Sequence, residues 1–255
     1  MTATPAITVN VIASGSKGNC TALTIGKAII LLDAGVKFSK IQEALNFENP
    51  LAALITHEHG DHANLTTINE LLTRGVNVYM SKGTADALKL EPRHNLFIVK
   101  PDTETFILEP PVESLQGETS INEQISFKTF STTHDAAEPL GFEISPHAAG
   151  YFIDTSTLPP IMGRFPQKIL LIECNHDEQV LRDADIDPTQ KQRILHNHLS
   201  VQKVVAYINY IVNTIGAAWV REVHLLHMSK RHGDADLFWQ MVQEVAGDKV
   251  KVFAY

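Results

Sequence analysis

The chain is poor in the features that define several protein classes. Its 255 residues hold only two cysteines, Cys20 and Cys174, too few for a disulfide framework and in keeping with a reducing cytoplasm. No apolar run approaches the roughly 18 residues that a bilayer-spanning helix needs, so no membrane association is expected. The start, MTATPAITVN, has neither a positively charged n-region nor an apolar h-region, so no signal peptide is expected. Basic residues are scarce: 21 Lys and Arg face 29 Asp and Glu, for a formal charge of −8. That balance argues against a protein that coats nucleic acid by bulk electrostatics. It leaves room for an enzyme that meets a polyanion at one small site. Linker-like composition shifts, low-complexity tracts and internal repeats are missing as well. What is abundant is histidine, with 12 copies against 14 lysines and 7 arginines.

Hydrophobic residues make up 44% of the chain, ordinary for a globular protein. Short apolar strands are expected at Ile7 to Ala13, Thr21 to Ile25 and Ala28 to Leu32, the last two joined by a tight Gly26-Lys27 turn. Leu51 to Thr56 and Val76 to Met80 read as further strands, with Leu65, Ile68, Leu71 and Leu72 at helical spacing between them. From His94 to about Ile144 the pattern is mostly β, with loops marked by Pro110-Pro111, Gly117 and Pro139. Tyr151 to Ile153, Ile169 to Glu173, Val223 to Leu226 and Val250 to Ala254 read as strands, and Leu158 to Pro166 as a Pro-rich loop. Val201 to Val212 forms an apolar helical stripe capped by Ser200, and Leu237 to Val245 a last helix stopped near Gly247. Strands and helices intersperse throughout, so one α/β domain spanning residues 1–255 is expected.

Most of the chemistry is concentrated in Thr56-His57-Glu58-His59-Gly60-Asp61-His62. The segment follows an apolar strand and precedes an amphipathic helix, the place where open α/β sheets put ligand sites. In extended backbone His57 and His59 project to one side. Gly60 is expected to let the chain turn, bringing Asp61 and His62 back toward the same cavity. Imidazole with carboxylate suits Zn²⁺ or Mn²⁺, with iron also compatible, and not Ca²⁺ or Mg²⁺ alone. The competing structural reading is a surface histidine cluster with Asp61 as a helix N-cap. Four potential ligands in six residues argue against it.

HEHGDH matches the HxHxDH motif of the metallo-β-lactamase superfamily. Ala13 to Cys20, Leu31 to Gly35, Thr133-His134-Asp135-Ala136, Glu173 to Asp177, His198-Leu199-Ser200 and His227-Met228-Ser229 resemble its YycJ/WalJ branch in order and approximate spacing. The resemblance implies an αββα sandwich of two mixed sheets flanked by helices, with a dinuclear site between the sheets. It places His57, His59 and His134 on one divalent ion and Asp61, His62 and His227 on a second, with Asp154 bridging them. On its own, His134 reads more readily as a structural histidine and Asp154 as readily as a turn-forming residue, and His224 reads as filler beside His227. Cys20 and Cys174 read as buried strand residues, and His94 and His147 as surface residues.

His198 precedes the Ser200-capped helix, whose free N–H groups would favour an anion such as phosphate. The same dipole would disfavour imidazolium and make a protonated His198 a better donor. By resemblance to nucleases of the superfamily, His198 acts near the leaving group and Glu173 supports it. Ser16, Lys17 and Asn19 in a polar loop, with Ser200 and Lys230, are candidate substrate contacts, although ordinary turns explain these residues equally well.

The superfamily hydrolyses β-lactams, thioesters, lactones and phosphodiesters, so the fold does not name the substrate. Thr-Thr-His-Asp around His134 and Asp154-Thr155 point away from the glyoxalase II pattern. The YycJ/WalJ resemblance implies a DNA nuclease, a 5′-exonuclease linked to repair, in which activated water attacks phosphorus in line and His198 assists the leaving oxygen. Asp61 belongs to the expected catalytic set through its metal. A thioesterase or lactonase on the same site is the alternative, and a metal-binding scaffold without turnover the third. Two departures from the family pattern stand out: Ser156 where glycine often follows Asp-Thr, and His196-Asn197 ahead of His198, where glycine is usual. Both are expected to crowd loops near the site.

Overall fold

The computed structural model describes residues 7–101, 104–107, 125–145, 149–158 and 168–255. They divide into two units between which the chain passes repeatedly. Of the described residues, the first comprises 7–13, 17–101, 104–107, 125–129 and 136–145, the second 14–16, 130–135, 149–158 and 168–255. The Pro110-Pro111 and Gly117 loop markers, His147 and most of the Leu158 to Pro166 loop lie outside the described residues.

In the first unit, β1 (Ile7–Ala13), β2 (Cys20–Ile25), β3 (Ala28–Leu32), β4 (Ala52–Leu54), β5 (Asn77–Met80) and β6 (Leu96–Ile98) form a mixed sheet in chain order. β1 to β3 are antiparallel, and the ladder from β3 through β6 is parallel. Every residue of β3 and β4 is buried, which is why these strands read as unbroken apolar runs rather than alternating ones. α1 (Phe38–Ala44), α2 (Leu65–Thr73) and α3 (Lys82–Ala87) contribute Ile41, Ile68, Leu71, Leu72 and Ala85 to a core with Leu31, Ala53, Ile55 and Val78. The N-cap of α2 is Asn64, whose side chain accepts from Thr67 N–H at 3.1 Å. Asp61 is therefore free of the capping role. β7 (Glu104–Ile107) pairs antiparallel with β8 (Ile125–Ser131), and β9 (Leu140–Ser145) follows beside β8.

The second unit holds β10 (Ala149–Phe152), β11 (Ile169–Glu173), β12 (Glu222–Leu226) and β13 (Lys251–Ala254), paired in parallel in that order. α4 (Glu178–Asp183), α5 (Pro188–Asn197), α6 (Val201–Tyr210) and α7 (Ala235–Ala246) lie between the last three strands in sequence. The expected stripe on α6 buries Val201, Val204 and Ile208 with Phe238 and Val242 of α7. Ser200 caps α6 by accepting from Lys203 N–H at 3.2 Å. Gly247, at φ 72°, ends α7 in the left-handed conformation that glycine adopts without penalty. Cys20 and Cys174 are fully buried free thiols, and burial pushes both thiols well up, disfavouring the thiolate that a metal would need.

Candidate metal and catalytic centre

In the first unit the histidine motif leaves β4 through Ile55 and Thr56 and ends at α2. The key to its geometry is Asp33, which follows β3 and is fully buried. One carboxylate oxygen of Asp33 accepts from Thr56 N–H at 2.8 Å and from Thr56 Oγ1 at 2.9 Å. The other accepts from His62 Nδ1 at 2.8 Å. Thr56 Oγ1, its proton committed to Asp33, accepts in turn from His57 Nδ1 at 3.0 Å. These bonds assign both tautomers, leaving Nε2 of His57 and of His62 as lone-pair nitrogens. His57 Nε2 lies 3.1 Å from His59 Nδ1. Two nitrogens on a tetrahedral zinc, each about 2.0–2.1 Å from it, stand roughly 3.3 Å apart, so this pair fits the edge of such a site. Asp61 Oδ2 lies 3.7 Å from His62 Nε2, which also accepts from the Asn19 amide at 2.9 Å.

The backbone clamps this loop. Asn19 N–H donates to the Asp61 carbonyl at 2.6 Å, and Ala34 N–H to the His62 carbonyl at 2.8 Å. Gly35 packs directly on the same peptide: a Cβ there would lie 1.7 Å from Asp61 O and 2.7 Å from His62 N. Gly60 behaves differently from expectation. It needs no left-handed φ and a Cβ on it would meet nothing within 4 Å. The turn is instead made by His62 and Ala63 N–H groups, both donating to the His59 carbonyl at 2.8 Å.

In the second unit the parallel register brings the C-terminal ends of β10, β11 and β12 to one edge, with Phe152 beside Ile172 and Glu173 beside Leu226. Asp154, Glu173 and His227 stand there, and His134 and His198 join them from loops. One ligand atom from each of Asp154, Glu173, His198 and His227 lies within 4.8 Å of the others. His198 Nδ1 donates to Glu173 Oε1 at 2.6 Å, and His227 Nδ1 lies 3.0 Å from the same oxygen and 2.9 Å from Asp154 Oδ1. His134 Nδ1 donates to the Asn197 carbonyl at 3.4 Å, and its Nε2 lies 3.5 Å from Asp154 Oδ2. Burial lowers the His134 pKa, with Asp154 opposing, so the neutral, ligating form is favoured. His227 N–H donates to Ser14 Oγ at 2.7 Å, a support that nothing in the sequence announces.

The helix-dipole expectation for His198 is corrected. The Val201 N–H at the start of α6 is taken by the His176 carbonyl and that of Lys203 by Ser200. The anion received at this turn is Glu173 itself, which accepts from Leu199 N–H at 3.2 Å and Thr155 N–H at 3.0 Å. Burial alone would lower the His198 pKa, but the Glu173 and Asp154 carboxylates outweigh it and hold it up at about 9. Burial likewise pushes the Glu173 carboxyl up, and the facing His198 and His227 bring it below its ordinary value.

The remaining candidates divide. Asn19 is buried against His62, and Ser200 is buried, with its hydroxyl capping α6 and donating to Glu178 at 2.8 Å. Ser16, Lys17 and Lys230 are exposed on loops. Asn197, one of the two departures ahead of His198, is the residue whose carbonyl orients His134, and Ser156 offers its carbonyl to Lys203 Nζ at 3.0 Å. Asp33, Thr56 and Asn175, whose amide donates to the His227 carbonyl at 2.8 Å, lie within the quoted motifs but have no role assigned to them from sequence. The signal for Asp33 was available: an acid closing an otherwise wholly apolar strand.

Residues 29–227 match the model of the beta-lactamase superfamily domain. The chain belongs to the metallo-β-lactamase superfamily. Its mixed sheets and helices are that fold, as the resemblance implied. It is similar to "Exodeoxyribonuclease WalJ" of Streptococcus pneumoniae, 29% identical over 252 residues, covering 93% of this chain and 87% of that one. It is 25% identical to "Exodeoxyribonuclease YycJ" of Bacillus anthracis, across 94% of this chain and 89% of the other. Among solved structures, the metallo-beta-lactamase fold protein YhfI of Bacillus subtilis matches with a TM-score of 0.67 at 18% identity, covering 98% of this chain and 97% of that one. The protein thus has a metallo-hydrolase fold whose His/Asp clusters are consistent with a dinuclear metal site. Among the described residues no helix is long and apolar enough to cross a membrane.

Proposed function

We propose that this superfamily member is a dinuclear-metal-dependent phosphodiesterase that cleaves DNA, with exonuclease action of the kind its relatives are named for. The observation that carries the reading is the 2.6 Å bond between His198 and fully buried Glu173. A histidine anchored through Nδ1 leaves Nε2 as the atom that hands a proton to a departing oxygen, and Glu173 stabilises the imidazolium before transfer. His57, His59 and His134 would hold one ion, Asp61, His62 and His227 the other, and Asp154 would bridge them, all within a single domain. Zinc or manganese suits this donor set, and iron is compatible with it. The chemistry such ions supply is activation of water and stabilisation of charge on the phosphoryl group. Asp33 and Thr56 keep the lone pairs of His57 and His62 directed outward, and the Asn197 carbonyl does the same for His134. With a formal charge of −8 on the chain, contact with the polyanion is local and centred on the ions.

The test is a substrate panel with Mn²⁺ or Zn²⁺ added: 5′-phosphorylated single-stranded and duplex DNA, RNA, bis-p-nitrophenyl phosphate and S-lactoylglutathione. Hydrolysis of the DNA substrates is expected. Turnover of the thioester with none of the phosphodiesters would establish the thioesterase alternative and discard the nuclease.

A further inference from the structure

α5 is a basic helix whose C-terminal end leads directly into His198 of the second unit. Pro188–Asn197 carries Lys191, Arg193 and His196 and no acidic residue, in a chain where acids outnumber bases 29 to 21. Arg193 lies one turn before Asn197, whose backbone carbonyl accepts from His134 Nδ1 at 3.4 Å. Arg193 reaches the same histidine by another route. Its Nε and Nη2 both lie 2.8 Å from Asp135 Oδ2, and Asp135 Oδ1 lies 3.5 Å from His134 Nε2.

A guanidinium has five N–H donors in a rigid plane. Asp135 engages one edge, and the side chain is 69% exposed, so the other edge faces solvent. As a stabilising element an ion pair this exposed contributes little. As a holder it is effective: Asp135 fixes the plane of the guanidinium, and the outward edge offers the paired donors that phosphate oxygens accept.

We propose that Arg193 grips a phosphate of the nucleic-acid strand adjacent to the scissile one, with Asp135 keeping the guanidinium turned outward beside His134. The proposal rests on the phosphodiesterase reading and names a substrate-binding residue for it. A lone phosphodiester has no neighbouring phosphate to offer Arg193, whereas an oligonucleotide does. The two substrates therefore separate its role from any effect on the metal ligand.

The experiment compares the wild-type chain, Arg193→Gln, Arg193→Lys and, as a charge-matched control, Arg74→Gln, whose arginine pairs with Glu70 on α2 in the first unit. The probes are a short 5′-phosphorylated single-stranded oligonucleotide and bis-p-nitrophenyl phosphate. Arg193→Gln is expected to raise KM for the oligonucleotide about tenfold while kcat stays within about twofold, and to leave bis-p-nitrophenyl phosphate unchanged. The slope of log affinity against log salt should become shallower by about 0.7, the value for one lost contact on a single strand. Arg193→Lys restores the slope but only part of KM, because an ammonium is a point charge rather than a fork. An unchanged KM and slope overturns the proposal, as does an equal loss on both substrates, which would make Arg193 a support for His134 alone. If the wild-type chain cleaves S-lactoylglutathione and neither phosphodiester, the nuclease reading itself falls and this assignment with it.

Discussion

Adding one methyl group at Gly35 should dismantle the histidine loop of the first unit. The alanine Cβ would sit 1.7 Å from Asp61 O and 2.2 Å from Asp61 C. Ordinary contact is roughly 3.4 Å or more, so the Asp61–His62 peptide must retreat by well over an ångström. That retreat breaks the bonds from Asn19 N–H to Asp61 O and from Ala34 N–H to His62 O, at 2.6 and 2.8 Å. Each lost backbone bond removes about 1 kcal/mol net, and overpacking adds about 1–3 kcal/mol. The sum is about 3–5 kcal/mol, a large part of the stability of an ordinary domain. His62 also loses its alignment with Asp33, so metal affinity should fall at least tenfold. Gly60→Ala, in the same loop but facing open space, is the internal control. It should be neutral, or stabilise by about 0.4–1 kcal/mol through the unfolded chain. Urea unfolding of the metal-free protein, followed by elemental analysis after loading and desalting, reads both effects. A Gly35→Ala protein with the wild-type urea midpoint and metal content would refute the clamp.

Three further outcomes are expected. Asp33→Asn weakens metal binding by about 10–100-fold while keeping the fold, because asparagine tolerates the left-handed backbone there but no longer anchors His62 Nδ1 as a carboxylate; circular dichroism and a zinc competition titration measure the two separately. Asp61→Ala lowers bound metal toward one equivalent and abolishes hydrolysis, and unchanged metal by elemental analysis removes Asp61 from the ligand set. His198→Ala keeps its metal yet loses roughly 10²–10⁴ in kcat, whereas normal turnover would take His198 out of the reaction.

The sheets were readable because their signals are local. β1 and β3 begin and end where the apolar runs predict, and Ser200 starts α6 and Gly247 stops α7 by the expected chemistry. α1, α3, α4 and α5 were overlooked because they are short or weakly striped, α1 burying only Ile41 and α4 only Leu181. For α5 the signal was present, since Asp187-Pro188 is an N-cap followed by proline in the first turn. The metal motif was legible as a cluster because its residues are adjacent in sequence. Asp33 and Ser14 were not, since they act through bonds to residues 29 and 213 positions away. The His198 pKa runs opposite to the helix-dipole expectation for a related reason. A helix dipole can be inferred from sequence, whereas two carboxylates gathered from separate strands outweigh it only in the folded chain.

Asp33, Asp154 and His227 all hold left-handed backbone, at φ 61°, 48° and 54°, each within two residues of the end of a strand that is buried throughout or nearly so. A side chain in that conformation carries about 1–2 kcal/mol of strain that glycine avoids and asparagine reduces. Selection for thermal tolerance alone would therefore drift toward Gly or Asn at these three places, and every such gain would erase a donor or its anchor. In directed evolution they should be the positions where heat resistance and turnover trade most steeply, and a thermostabilised library sorted without an activity screen should be enriched in inactive variants there.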